Sequence, residues 1–102
     1  MKTVEKIAQA GTLESGDILV VVAPATAEQD GIVIELQSLV MAQYGEAIRA
    51  TIAATLQAHG VTQAAVQATD RGALDCTIRA RVLTALARGG VALEEGAITW
   101  SA

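Results

Sequence analysis

The chain of 102 residues carries 11 Asp and Glu against 7 Lys and Arg, a net charge of −4, and its 52% hydrophobic content includes no Phe, one Trp and one Tyr. That length holds one core, because a second would need roughly 100 more residues. The negative charge makes phosphate backbones and anionic membranes poor partners, so nucleic-acid binding is disfavoured.

In chain order, residues 1–17 show no period, and the stretch AGTLESGD from Ala10 to Asp17 is bracketed by Gly11 and Gly16, so residues 1–16 are expected to form a flexible N-terminal arm. The continuous β-branched run ILVVVA at residues 18–23 predicts a first strand, ended by Pro24, which cannot donate to a sheet ladder. After the turn composition of residues 25–31, Ile32, Ile34 and Leu36 alternate with Val33, Glu35 and Gln37, predicting a second strand that pairs with the first as a hairpin. Ser38 can cap a helix over residues 39–59, with Met41, Tyr44, Ile48, Ile52 and Leu56 on its apolar stripe, His59 at its end and Gly60 as its stop. Residues 61–69 predict a third strand with Ala64, Val66 and Ala68 on one face and the wetter Gln63, Ala65, Gln67 and Thr69 on the other. Asp70 can cap a second helix with the stripe Leu74, Ile78, Val82 and Leu86, ending at Arg88 before Gly89 and Gly90. A short edge strand around Ile98 to Trp100 is a further expectation.

The resulting β-β-α-β-α order describes an α+β two-layer sandwich with both helices on one face of a small mixed sheet. Because the first strand does not alternate, either Ile18, Val20 and Val22 or Leu19, Val21 and Ala23 face away from the helices, a candidate partner surface unless the tail or residues 1–10 cover it. No apolar run reaches the roughly 18 to 20 residues that cross a bilayer. The start MKTVEKIAQA lacks the apolar core of a signal peptide and Cys76 has no second cysteine to pair with, so a soluble, cytoplasmic chain is expected.

Residue chemistry argues against catalysis. His59 is far in sequence from Cys76; the first reads as a satisfied helix cap and the second as a small apolar filler. One Cys and one His with scattered carboxylates offer no metal-ligand spacing, and Glu94 and Glu95, being adjacent, point apart. The glycine-bearing turn ESGD leads into a strand, whereas phosphate-cradling loops lead into helices. An acylphosphatase-like hydrolase of this size needs an Asn, which the chain lacks. Six acids and no base lie between Ile7 and Ile48, and five Arg with two Asp between Arg49 and Arg88, a polarity that suits either solubility or orientation against larger partners.

One motif carries more. Ser15, in Gly11-Thr12-Leu13-Glu14-Ser15-Gly16-Asp17, lies in a segment that resembles the N-terminal signature of the citrate lyase acyl carrier (gamma subunit) family. YGEAIRATI at residues 44–52 and RGALDCTIRARVLTAL at residues 71–86 resemble that family's two helices, and the likeness covers nearly the whole chain. The departures are the turn at residues 25–31 and the tail after Gly89. The carriers of citramalate lyase and malonate decarboxylase are close siblings; an unmodified scaffolding subunit and an enzyme using Cys76 or His59 are the readings from other classes.

The resemblance implies a noncatalytic carrier in which Ser15 is joined by a phosphodiester to 2'-(5''-phosphoribosyl)-3'-dephospho-CoA. A separate prosthetic-group transferase would install it from the triphosphate precursor, the serine oxygen bonding to phosphorus and pyrophosphate leaving. The terminal thiol would carry acetyl and citryl groups between the alpha (transferase) and beta (lyase) subunits. Such a serine must be exposed, and Gly16 beside it removes a side chain that would crowd the approach.

Overall fold

In the computed structural model, residues 2–28 and 30–93 are described. The elements run β1 (Ala8–Ala10), β2 (Ile18–Ala23), β3 (Ile32–Ser38), α1 (Met41–Ala58), β4 (Ala64–Asp70) and α2 (Asp75–Arg88). The strands form one mixed sheet in the order β1-β2-β4-β3, in which β2 is antiparallel to both β1 and β4 and β3 is parallel to β4. Ile18, Val20 and Val22 of β2 and Ala64, Val66 and Ala68 of β4 are buried with Ile48, Ile52 and Leu56 of α1 and Ile78, Val82 and Leu86 of α2. Both helices thus cover one face of the sheet, the expected two-layer α+β sandwich. The alternation along β2 leaves Leu19, Val21 and Ala23 on the other side, where Val21 and Ala23 line a shallow groove with Ile7, Val33 and Ala65.

Several expectations are corrected. The strands at residues 18–23 and 32–38 do not form a hairpin, because β4 lies between them, with Val66 opposite both Val22 and Ile34. The link at residues 24–31 is far from a tight two-residue turn, and the crossover through α1 gives β4 the parallel pairing that brings it beside β3. Nor, among the described residues of the expected 1–16 arm, is the segment from Lys2 to Ala10 free: Ala8–Ala10 adds an edge strand, Val4 is 3% exposed within the core, and the Glu5 amide donates to the Gly89 carbonyl at 2.8 Å. Apolar burial of Val4 and Ala10 holds this segment on the body, and Ala-Gln-Ala is too short to announce a strand by its pattern. Finally, both helices begin later than expected, at Met41 and Asp75, and neither has a side-chain cap.

Ser38 and Asp70 explain that shift. They end the paired strands β3 and β4, with the Ser38 hydroxyl donating to Asp70 Oδ2 at 2.8 Å and accepting from the Val40 amide. Asp70, 1% exposed, takes the Ala73 amide on Oδ1, so its carboxylate stitches the ends of the strands and the link to α2 instead of capping a helix. The first turns of α1 and α2 therefore overhang the sheet, and Tyr44 at 55% and Leu74 at 71% exposure leave the stripes expected to bury them, as does Met41. His59 occupies the C-cap of α1 and is buried, and Gly60 follows at φ +78°, the left-handed stop its position predicts. Cys76 is exposed rather than a core filler. The segment around Ile98 to Trp100 and the pair Glu94 and Glu95 lie outside the described residues.

Candidate attachment site

Residues 11–17 connect β1 to β2 and place Ser15 at an exposed corner. The Asp17 amide donates to the Glu14 carbonyl at 3.1 Å, closing a four-residue turn with Ser15 and Gly16 at its centre. Gly16 has φ +84°, as the third position of a type II turn requires, and a Cβ built on it would meet nothing within 4 Å. Glycine is needed there for its backbone conformation, while the emptiness around it leaves the Ser15 hydroxyl open to solvent. Among the described residues that hydroxyl makes no hydrogen bond.

The turn is braced rather than loose. Asp17 accepts from the Ile18 amide (2.7 Å) and Arg81 Nε (2.9 Å) on Oδ1, and from Thr12 Oγ1 (2.8 Å) and Arg81 Nη2 (3.0 Å) on Oδ2. Thr12 Oγ1 in turn accepts from the Glu14 amide. The Gly16 amide donates to the Arg71 carbonyl at 2.7 Å, and the Arg71 amide to the Asp17 carbonyl at 2.8 Å. The corner bearing Ser15 is thus tied to α2 by a two-pronged guanidinium–carboxylate pair and to the β4–α2 link by paired backbone bonds. Glycine 11 sets the entry: at φ +96° its built Cβ would sit 1.8 Å from the Ile18 carbonyl oxygen. Gly11→Ala is expected to cost about 2 to 3 kcal/mol from the left-handed backbone and the overlap together, read by chemical denaturation.

The brace sets a pH dependence. The Asp17 carboxyl is lowered from 3.8 to about 2 by the Arg81 hydrogen bond, against the opposing effect of burial and with help from Thr12, the Ile18 amide and the Arg81 charge. A depressed carboxyl stabilises the fold in full above 3.8 and loses that contribution as pH falls toward 2. Acid denaturation of the wild type should show this loss over that range, and Arg81→Ala should be less stable at neutral pH with the increment absent.

The resemblance singles out Ser15, which the structure places at the exposed corner of the turn, but neither Arg81 nor Arg71 is legible in the sequence as part of its brace. Thr12 and Asp17 flank the turn and could have suggested a local bond; nothing local could select Arg81, 64 positions from Asp17. His59 and Cys76 are not brought together as a pair: one is buried at the C-cap of α1 and the other exposed in the first turn of α2. Among the described residues, no cluster of three or more His, Cys, Asp and Glu side chains could hold a metal ion, and no helix is long and apolar enough to cross a membrane.

A small α+β domain presenting an exposed serine on a turn braced from two neighbouring elements is the class these observations define. Residues 5–89 match the acyl carrier (ACP) family described as malonate decarboxylase delta subunit (MdcD), and the chain belongs to that family. It is 52% identical over 81 residues to the citrate lyase acyl carrier protein of Lacticaseibacillus casei (strain BL23), covering 79% of this chain and 77% of that one. It is 48% identical over 85 residues to the citrate lyase acyl carrier protein of Streptococcus mutans serotype c, covering 83% and 81%. Its fold is similar to a chain in the crystal structure of a Pseudomonas malonate decarboxylase hetero-tetramer in complex with malonate, with a TM-score of 0.57 and 18% identity over 84% of this chain and 86% of that one. The expected membership among acyl carriers related to those of citrate lyase is therefore shown.

Proposed function

We propose that this chain is the noncatalytic acyl carrier subunit of a citrate lyase, with Ser15 as the attachment residue for 2'-(5''-phosphoribosyl)-3'-dephospho-CoA. The observation that carries the reading is the exposed Ser15 hydroxyl at the corner of a braced turn, in a chain about half identical to citrate lyase carriers. The residues present suit such a group: the serine oxygen is unencumbered, Gly16 leaves open space beside it, and Asp17 is engaged by four donors, so it fixes the turn. When bound, the group would supply a thiol that holds acyl chains as thioesters. The protein's part is to fix the base of that tether while presenting it to the prosthetic-group transferase and to the alpha and beta subunits of the lyase. Tethering raises the local concentration of the carried group to about the millimolar range at each partner site when the linker length matches the span. The same role suits a cytoplasmic complex.

Co-expression with the installing transferase should add the mass of one CoA-derived group, mapping to the peptide that contains Ser15. An active lyase complex in which this chain keeps its unmodified mass would overturn the proposal. The family description favours a second reading, the carrier of a malonate decarboxylase. The two readings separate by which partner subunits, citrate lyase or malonate decarboxylase, turn over with the modified chain.

A further inference from the structure

The end of the sheet where Ile18, Asp70 and Ser38 meet gathers the Ser15 turn, the link at residues 71–74 and the first turns of both helices. Between those first turns lies a groove of about 490 Å³. Val40, Tyr44, Ala47 and Ile48 form one wall, and Ala73, Leu74 and Ile78 the other. We propose that this groove receives the pantetheine end of the group on Ser15, holding the thiol and a short acyl load against the carrier between visits to partner sites. The inference rests on the reading of Ser15 as the attachment residue.

Continuity is the first support. The Gly16 amide is bonded to the Arg71 carbonyl, and Gly72, the next residue, already lines the groove. The groove rim therefore adjoins the link that braces the Ser15 turn, so a long group attached at Ser15 can reach it with its far end by folding back along the protein. Size is the second, because small-molecule sites fall in the range of roughly 300 to 1,000 Å³. Chemistry is the third. Tyr44 and Leu74 stand exposed on opposite rims, which calls for an apolar covering, and the carboxylates at the groove are Asp70, already engaged by Ser38 and Ala73, and Asp75. Those carboxylates disfavour the phosphates and favour the neutral amide and methyl-bearing end.

The test uses the modified full-length protein in a Cys76→Ser background, with a maleimide nitroxide on the group's thiol and backbone amide signals followed by NMR. Quenching should be several-fold stronger at Gly72, Ala73 and Ile78 than at Thr12 and Leu13 on the other side of Ser15. Ala47→Trp, at an exposed position of α1, should fill the groove and abolish that asymmetry while the added mass on Ser15 persists. Equal quenching on both sides of Ser15, an asymmetry unchanged by Ala47→Trp, or quenching of the groove amides that arises only after lyase subunits are added would overturn the inference and leave the attachment reading intact. Absence of added mass at Ser15 would instead overturn the attachment reading, and this inference with it.

Discussion

Ser15→Ala is expected to yield a folded protein that gains no CoA-derived mass from the installing transferase and supports no turnover with the lyase subunits. The loss should be complete, because alanine offers no oxygen to bond to phosphorus and the described residues hold no second serine in an equivalent turn. Stability should change by less than about 0.5 kcal/mol, since the replaced hydroxyl is exposed and makes no bond among the described residues. Intact mass, denaturant midpoint and complex activity measured on one preparation check all three parts. Residual activity near the wild-type level would mean that the carried group sits elsewhere or that this chain is a scaffold. Arg81→Ala provides a contrast: the serine remains, but its turn loses both prongs of the brace.

Ile78→Ala should destabilise the protein by about 2 to 5 kcal/mol through loss of buried methyl groups and the cavity left behind. Ile78 is 1% exposed and belongs to the core shared by α2, β2 and α1. Because it also lines the groove beside Tyr44 and Ala73, part of the vacated volume opens toward solvent and draws the value to the lower half of that range. Leu74→Ala is the matched control. Helical spacing puts both residues on one stripe, yet Leu74 is 71% exposed, so its truncation should cost less than about 0.5 kcal/mol. Similar losses for the two variants would show that the first turn of α2 packs differently from the structure described above.

Much of this architecture is legible residue by residue. The run Ile18 to Ala23, the stripe Ile48, Ile52, Leu56 and the stripe Ile78, Val82, Leu86 each name their element and their buried face. Gly60 marks the end of α1 through the one backbone conformation it favours. The turn around Ser15 is legible because its immediate neighbours make it, with Gly16 supplying the positive φ, whereas only the family resemblance singles out Ser15 as a candidate site. Asp17 is visible as a flanking acid, but its role is not: the donor that matters most, Arg81, arrives from another element.

What the sequence by itself determined is therefore local: which segments are strands and helices, which side chains each hides, and which serine stands in a turn. Tertiary structure alone decided that β4 separates β2 from β3, that Leu19 and Val21 rather than Val20 face away from the helices, and that Ala8–Ala10 joins the sheet. It also decided that Tyr44 and Leu74 frame a groove instead of filling a core. The reason is physical. Periodicity of two or of 3.6 residues is written in neighbouring side chains, whereas strand pairing uses backbone groups that are the same at nearly every position, and the choice among partners is made by burial summed over the whole domain.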